Sequence, residues 1–236
     1  MTASTRESLT QLLANLHAER VATWRPELLK INIDQRQLLV DTTDPRRFVK
    51  NGDIVDSFRV PSVDGEVIDL DALLLAGPAV VIFFRFAVCP ACNIALPYYH
   101  RRLLPRLHEL GASLLALSPQ VPERLVDIKR RHALGFRVAS DLHNDLAHQF
   151  GILYAYDDAS KQAALARGSF IGDITGTGTW ELPMPTVIVI DRNRVVRFVD
   201  VSPDWLARTE AEPIVRAVEA VLKAAYPEPR RAGAAA

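Results

Sequence analysis

The sequence predicts an α/β protein with a central mixed sheet, mostly parallel, flanked by helices. Strand-like and helix-like segments alternate between about residue 78 and residue 151, the pattern of parallel strands joined by crossover helices. The apolar segment Pro78–Phe84 shows no polar alternation, which indicates a central strand buried on both faces. A hairpin pattern over Thr186–Val201, turning near Arg192 and Asn193, predicts an antiparallel pair at the end of the sheet.

Composition narrows the class of protein. The chain has 236 residues, 49% of them hydrophobic, which is enough for one substantial core. Its 28 basic and 28 acidic residues balance, and no basic block suggests a nucleic-acid partner. The first residues mix charge with leucine, unlike a signal peptide, and the longest apolar stretch, Ala72–Phe84, is too short to span a membrane. We expect a cytoplasmic protein with no membrane or nucleic-acid partner.

The first part of the chain predicts a helical extension over residues 1–49. Its leucines recur at helical spacing, and Pro26 breaks the pattern. The main domain is predicted over residues 50–226. It begins with a β-hairpin about Asp64 and Gly65, followed by a short helix ending at Gly77.

Later elements follow from similar patterns. One helix is predicted from Pro90 to about Leu110, and farther along a strand is followed by a helix over residues 142–150 that ends at Gly151. Residues 152–182 form an insertion, mostly unpatterned apart from one short helix, which we expect to cover the active site. A closing helix ends the domain, and residues 227–236 are predicted to be disordered.

The only two cysteines, Cys89 and Cys92, follow the most apolar strand directly. In open α/β sheets the reactive crevice lies beyond the carboxyl ends of the strands. Pro90 is suited to the first helical position, which places Cys89 at the N-cap, where the helix dipole favours a thiolate. Cys92 lies one turn later and is expected to be more buried. The predicted roles are therefore attack by an exposed Cys89 and resolution by Cys92.

Two other interpretations of the cysteine pair are open. Two cysteines supply half of a tetrahedral zinc site, and His143 with His148 is the only histidine pair at ligand spacing. The pair could also be two inert core thiols. Its place after a strand and before a helix-starting proline favours a redox dithiol, with no metal and no cofactor.

Residues 50 to about 222 resemble the peroxiredoxin-like branch of the alkyl hydroperoxide reductase and thiol-specific antioxidant (AhpC/TSA) family, which has a thioredoxin fold. The segments that carry the resemblance are "GPAVVIFFRFAVCPACN", "LGASLLALSPQ", "FRVASDLHNDLAHQFGI" and "WELPMPTVIVIDRNRVVRFVDVSPDWLAR". The resemblance implies a Cys89 that attacks a hydroperoxide and a Cys92 that forms a disulfide with it. It also implies recycling by thioredoxin or a similar dithiol, and a homodimer.

In the thioredoxin architecture a cis-proline loop lies beside the cysteine pair and exposes the preceding backbone to substrate. Met184 and Pro185, directly before the strand that begins at Thr186, are the candidates for this loop. An ordinary trans proline at a strand entry is the alternative. Trp180 is expected to wall the pocket or to pin the insertion to the core.

The chain departs from the family's Pro-x-x-x-Thr-x-x-Cys motif. Counting back from Cys89 gives Phe86 and Ile82 in place of threonine and proline, and counting back from Cys92 gives Cys89 and Arg85. Neither register supplies the usual peroxide cradle.

Small residues replace the aromatics usual around these cysteines. Val88 and Ala91 stand in those places and predict an open pocket beside Pro90 that admits a bulkier partner. Arg85 is expected to steady the thiolate or an anionic substrate, or else to pair with a surface carboxylate. Arg197 is a weaker candidate for the first role.

The leading hypothesis is a thiol-dependent peroxidase that reduces hydroperoxides. The alternatives are a thiol-disulfide oxidoreductase acting on protein or small-molecule disulfides, and a redox sensor or pathway protein without peroxidase activity.

Overall fold

The computed structural model describes residues 7–225 and shows a five-stranded mixed sheet at the centre of the protein. Its strands are β3 (Ala79–Phe83), β4 (Ser113–Ser118), β5 (Arg137–Ser140), β8 (Thr186–Ile190) and β9 (Val196–Val201). Their order across the sheet is β5-β4-β3-β8-β9. β3, β4 and β5 are parallel, whereas β8 is antiparallel to both β3 and β9. The predicted fold class and closing hairpin are confirmed.

Shorter strands and helices surround this sheet. The strands are β1 (Arg59–Pro61), β2 (Val67–Asp69), β6 (Leu153–Ala155) and β7 (Glu181–Pro183). The helices are α1 (Leu9–Thr23), α2 (Pro26–Thr42), α3 (Leu70–Ala76), α4 (Pro90–Arg102), α5 (Leu104–Glu109), α6 (Pro122–Arg131), α7 (Asp145–Gln149), α8 (Asp158–Leu165), α9 (Ile171–Thr175) and α10 (Ala211–Ala225). No helix between residues 7 and 225 combines the length and the apolar character that crossing a membrane requires.

The central strand β3 is buried over its whole length because helices and a hairpin cover both faces of the sheet. On one face, Val80 and Ile82 pack in a cluster with residues of α1, α4 and α10. On the other face, Val81 and Phe83 pack with residues of α3, α7 and the β1–β2 hairpin. Burial of both faces of β3 therefore explains why its sequence shows no alternation of polar and apolar residues, as predicted.

Helices α1 and α2 form an N-terminal hairpin that packs on the rest of the same chain. The predicted break at Pro26 is confirmed: the chain turns at Trp24 and Arg25, and Pro26 occupies the first turn of α2. α1 packs on α4, and α2 packs on α8 of the insertion. The Glu210 carboxylate accepts hydrogen bonds from Ser8 Oγ at 2.8 Å and from the Thr10 amide at 2.9 Å, and these bonds fix the start of α1. The division at residues 49 and 50 stays a prediction.

Two predicted helices are shorter than expected. The helix predicted from Pro90 to Leu110 is interrupted at Leu103, since Pro105 has no amide hydrogen for a helical bond. The helix predicted over residues 142–150 begins only at Asp145, because His143 and Asn144 have φ angles of 63° and 59°.

The insertion contains more regular structure than its sequence pattern predicts. Its short helix, α8, is confirmed, and α9 is an additional helix. β6 and β7 bound the insertion and pair antiparallel to each other. The predicted disordered tail, residues 227–236, lies outside the described residues.

Candidate active site

The cysteine pair lies at the carboxyl end of the central strand. β3 ends at Phe83, and Thr186, the first residue of β8, pairs with it at the same edge. A short loop leads to α4, where Pro90 occupies the first turn and Cys89 is the N-cap with φ −66° and ψ 120°. The predicted position of Cys89 is therefore confirmed.

The loop between β3 and α4 is held by two polar side chains, one at the end of β4 and one just after it. Ser118 Oγ donates a hydrogen bond of 2.9 Å to the Arg85 carbonyl, and Gln120 Oε1 accepts one of 2.7 Å from the Ala87 amide. Both side chains are buried. Because buried polar groups are costly to leave unpaired, these bonds give the loop one conformation.

Asn93 closes the loop from the helix side. Its Nδ2 donates to the carbonyls of Ala87 at 2.7 Å and Cys89 at 2.9 Å. Its Oδ1 accepts from Arg131 Nη1 at 3.0 Å and lies 2.8 Å from His132 Nε2. Asn93 therefore links the cysteine loop to the end of α6.

Both sulfur atoms are buried, and this corrects the prediction of an exposed Cys89. Cys89 and Cys92 are free thiols, each with 0% of its surface exposed. They belong to a buried cluster that also contains Leu13 of α1 and Trp205. The sequence prediction failed because the N-terminal hairpin and the segment after β9 pack around the cysteines.

The two cysteines are equally buried, but their pKa values are shifted in opposite directions. Burial alone would raise the pKa of Cys89, but a hydrogen bond with Cys92 and the positive charges of Arg85 and Arg208 lower that pKa to about 5. Burial and the hydrogen bond to Cys89 raise the pKa of Cys92 well above its usual range. Cys89 is thus the thiolate and Cys92 the protonated thiol. Arg208 Nη2 lies 4.0 Å from Cys92 Sγ.

Arg85 is buried beside the cysteines with 5% of its surface exposed. Its Nη2 donates a hydrogen bond of 2.7 Å to Tyr156 Oη, and its guanidinium lies 4.4 Å from the centroid of the Trp205 ring. Pairing with a surface carboxylate, one of its two expected roles, is contradicted by this burial. The role beside the thiolate agrees with the geometry.

Arg197 does not reach the site. Its Nε forms an ion pair of 2.7 Å with Asp191 Oδ2. Asp191 follows Ile190, which pairs with Ala79 at the amino end of β3, the edge opposite the cysteines. The expectation that Arg197 could act on the thiolate is wrong because it lies at this opposite edge.

A cavity of about 270 Å³ lies beside the start of α4. Phe86 and Pro90 line it together with Arg85, but neither cysteine lines it, which differs from the predicted open pocket around the sulfur. Phe86 is buried and Pro90 is exposed. Val88 is 53% exposed but does not line the cavity, so its predicted role in opening the pocket is not supported.

The loop before β8 does not offer its backbone to a substrate. The Met184–Pro185 bond is trans, which contradicts the predicted cis bond. The Met184 amide donates to the Ile152 carbonyl at 2.8 Å, and the Met184 carbonyl accepts from Thr186 Oγ1 at 2.9 Å. Both backbone groups are engaged, since the insertion brings β6 alongside β7 at this point.

Trp180 packs within the insertion. Its ring centroid lies 5.6 Å from that of Tyr156 and 4.7 Å from that of Phe170. Trp180 is not among the cavity-lining residues. Of its two expected roles, the structure supports pinning the insertion to the core. Trp180 acts on the site through Tyr156, which holds Arg85.

Sequence reasoning missed Arg20, Tyr156, Trp205 and Arg208. These residues come from α1, the insertion and the loop after β9. Trp205 and Arg208 lie in the quoted segment that ends in "DWLAR", but no pattern in the sequence gave them a role at the site. Among residues 7–225, no group of three or more histidine, cysteine, aspartate or glutamate side chains could hold a metal ion.

Comparisons with known proteins agree on the fold. Peroxiredoxin Bcp of Escherichia coli strain K12 is 30% identical over 105 residues, covering 44% of this chain and 65% of that protein. The match therefore spans slightly less than two thirds of this relative. The crystal structure of peroxidoxin BcpB from Mycobacterium tuberculosis superposes with a TM-score of 0.58 at 23% identity, covering 73% of this chain and 98% of that one.

A yeast mitochondrial 1-Cys peroxiredoxin superposes with a TM-score of 0.55 at 17% identity, covering 75% of this chain and 79% of that chain. These structural similarities establish the thioredoxin-like fold. The AhpC/TSA family model matches residues 51–199, more than half of the sequence. The chain belongs to the AhpC/TSA family.

Proposed function

We propose that this protein is a thiol-dependent peroxidase in which Cys89 reduces a hydroperoxide and Cys92 resolves the product. The observation that carries the proposal is that the pKa values of two neighbouring thiols are shifted in opposite directions. The pKa of Cys89 is lowered to about 5, whereas that of Cys92 is raised. One cysteine is thus a thiolate at neutral pH while its neighbour keeps a proton, as two-step chemistry requires.

The reaction begins when the Cys89 thiolate attacks the terminal oxygen of the hydroperoxide. A sulfur–oxygen bond forms, the oxygen–oxygen bond breaks, and the departing alkoxide takes a proton to leave as an alcohol. Cys92 then loses its proton and attacks the Cys89 sulfenic acid. A disulfide forms, and the hydroxyl leaves as water with that proton.

Two cations replace the missing peroxide cradle in this proposal. The family's usual threonine is absent in either register, but the positive charges of Arg85 and Arg208 act on Cys89. Charges held in a water-poor site stabilise negative charge that develops during reaction. We assign these arginines to the stabilisation of the leaving oxygen.

Recycling by thioredoxin or a similar dithiol is part of the proposal and rests on family resemblance, as does a homodimeric state. Because both sulfurs are buried, the hydroperoxide and the reductant each gain access only after the start of α4 and its cover rearrange. A cytoplasmic location remains a prediction.

Exchange with protein disulfides is disfavoured by one observation. The backbone of Met184 is already hydrogen-bonded within the chain. A small-molecule disulfide remains the competing substrate, and a redox sensor without turnover is the third candidate.

Intact-mass measurement separates these functions. After one equivalent of hydrogen peroxide, the wild type should lose two hydrogens as a disulfide, Cys92→Ser should gain one oxygen, and Cys89→Ser should not change. Stopped-flow rates should exceed those of free cysteine at the same pH. Rates no faster than free cysteine would overturn the peroxidase proposal. Mixed-disulfide formation with oxidised glutathione alone would establish exchange, and oxidation without turnover by a dithiol would establish a sensor.

A further inference from the structure

Two arginines beside the cysteine pair are buried without a carboxylate partner. Arg20 of α1 is 4% exposed and Arg85 is 5% exposed. Arg20 Nη1 and Arg85 Nε are buried atoms with no hydrogen-bond acceptor. Within residues 7–225 neither arginine forms an ion pair. Because a buried cation is costly unless it is paired, the two guanidinium groups favour an additional anion.

The cavity of about 270 Å³ beside α4 gathers positive charge. Arg20, Arg85 and the exposed Arg167 all line it, and among the described residues no aspartate or glutamate does. Glu19 acts electrostatically on Arg20, but Glu19 is exposed and lies outside this lining. A cavity lined by three cations and no carboxylate is suited to an anionic ligand.

Apolar side chains form most of the remaining wall. The N-terminal hairpin contributes Trp24, Leu28 and Ile31, and the insertion contributes Ile171 and Ile174. Ligand pockets commonly combine such walls with a few polar groups that fix orientation. Neither cysteine lines the cavity, so a molecule held there is not placed for attack by a sulfur atom. The lining therefore fits a small anion with an apolar body that binds without being consumed.

The charges of this cavity and of Cys89 are linked. Arg20, Arg85 and Arg208 all interact electrostatically with Cys89. An anion on Arg20 and Arg85 competes with the thiolate for the same positive charge. Anion binding and ionisation of Cys89 therefore weaken each other by the same factor, as linkage requires. The other titratable groups that act on the two arginines are Glu19, Arg36, Cys92, Tyr154 and Tyr156.

We propose that this cavity is a regulatory site for a small organic carboxylate that is not a substrate, with the carboxylate on Arg20 and Arg85. The site goes beyond the proposed function, since any chemistry of the Cys89 thiolate responds to it. A bound carboxylate shifts Cys89 toward the protonated thiol and lowers its reactivity. Conversely, oxidation of Cys89 removes its negative charge and strengthens carboxylate binding. Arg20 lies outside residues 51–199, the part matched by the family, so the N-terminal hairpin is needed to complete the site.

Titration calorimetry with hexanoate at pH 7 tests the site without any oxidant. Cys89→Ser protein should bind hexanoate at least about tenfold more tightly than hexanamide, a neutral molecule of nearly the same shape. Adding Arg20→Gln should weaken hexanoate binding at least about tenfold, and Arg20→Lys should restore part of this loss. Arg25→Gln is the matched control, since Arg25 is exposed on the same hairpin and does not line the cavity.

A comparison of cysteine variants tests the linkage. Cys89→Ser, which has no thiolate, should bind hexanoate at least about fivefold more tightly than the reduced wild type. Cys92→Ser is the matched control, because it keeps the Cys89 thiolate and should bind hexanoate with the affinity of the reduced wild type.

Either test can overturn the proposal. Equal affinity for hexanoate and hexanamide, no saturable binding, or equal effects of Arg20→Gln and Arg25→Gln would exclude the site. Equal hexanoate affinity of the reduced wild type and Cys89→Ser would exclude the regulation. If circular dichroism shows Arg20→Gln unfolded, Ala163→Phe replaces it, because Ala163 lines the cavity from a half-buried position on α8 and a larger side chain there should abolish hexanoate binding. Failure of the peroxidase function would appear separately, as absent oxidation of the wild type by peroxide.

Discussion

The Tyr156 hydroxyl accepts a hydrogen bond of 2.7 Å from the buried Arg85 guanidinium. Tyr156 belongs to the insertion, whereas Arg85 lies in the loop that leads to Cys89. The Trp180 ring also packs against the tyrosine, tilted by 38° with the centroids 5.6 Å apart. The insertion therefore acts on the dithiol by holding a cation that lowers the pKa of Cys89, and the consequences can be measured.

Tyr156→Phe should destabilise the protein by about 1–3 kcal/mol, because a buried charged donor loses its acceptor. Urea denaturation of the reduced protein measures this loss, with the slope of the transition expected to stay constant. If the midpoint of urea denaturation does not change, water or another group accepts the hydrogen bond of the Arg85 guanidinium in the variant.

The ultraviolet absorbance of the Cys89 thiolate, which needs no reagent to reach the buried sulfur, should be half its maximum near pH 5, since the pKa of Cys89 is lowered to about 5. Arg85→Gln should raise that midpoint by about one unit or more, because it removes a neighbouring positive charge. Arg197→Gln is the control, as Arg197 lies at the opposite edge of the sheet, and it should leave the midpoint in place. If both variants raise the midpoint equally, the overall charge of the protein, and not Arg85 in particular, lowers the pKa of Cys89.

Glu210→Gln should loosen the N-terminal hairpin. Burial alone would raise the pKa of Glu210, but hydrogen bonds from Thr10, Tyr98, Ser8 and Leu9 lower it to about 2. Replacement should cost about 1 kcal/mol near neutral pH, a figure reduced because the carboxylate is partly exposed. Amide hydrogen exchange of α1 should quicken in the variant.

The pH dependence of this effect has a definite sign. The folded pKa of Glu210 lies below its ordinary value of 4.5, so the stabilisation is complete above that pH. It should fade as the pH drops from 4.5 to about 2. The wild type and Glu210→Gln should therefore converge in acid, and a difference that persists at the lowest pH would contradict the assignment. Glu123→Gln, at an exposed acid on α6, is the control.

Asn93→Ala should lower stability by about 1–2 kcal/mol and speed alkylation of Cys89, because a loosened loop exposes the buried sulfur more often. The variant loses both hydrogen bonds to the cysteine loop and those to α6. Asn15→Ala, on the exposed surface of α1, should change stability by no more than about 0.5 kcal/mol. If alkylation rates are equal in the two variants, Asn93 does not position Cys89.

Local sequence patterns were sufficient to predict much of the fold. The unbroken apolar run of β3, the proline after Cys89 and the Asp64-Gly65 turn each have one dominant local solution, and all three are observed. The pairing of β6 with β7 was not predictable, because each strand has three residues and its partner lies across the whole insertion.

The cysteine pair illustrates the same limit at the site. Its spacing and its helix-start position are local, so the sequence by itself determined the dithiol and the N-cap thiolate. Exposure and charge depend on which distant segments pack around the sulfurs. Only the tertiary structure decided that both thiols are buried, that Met184 is engaged and that Arg20, Arg85 and Arg208 converge on Cys89. The reason is that burial and Coulomb interactions are set by distances in space, which the order of residues along a chain does not specify.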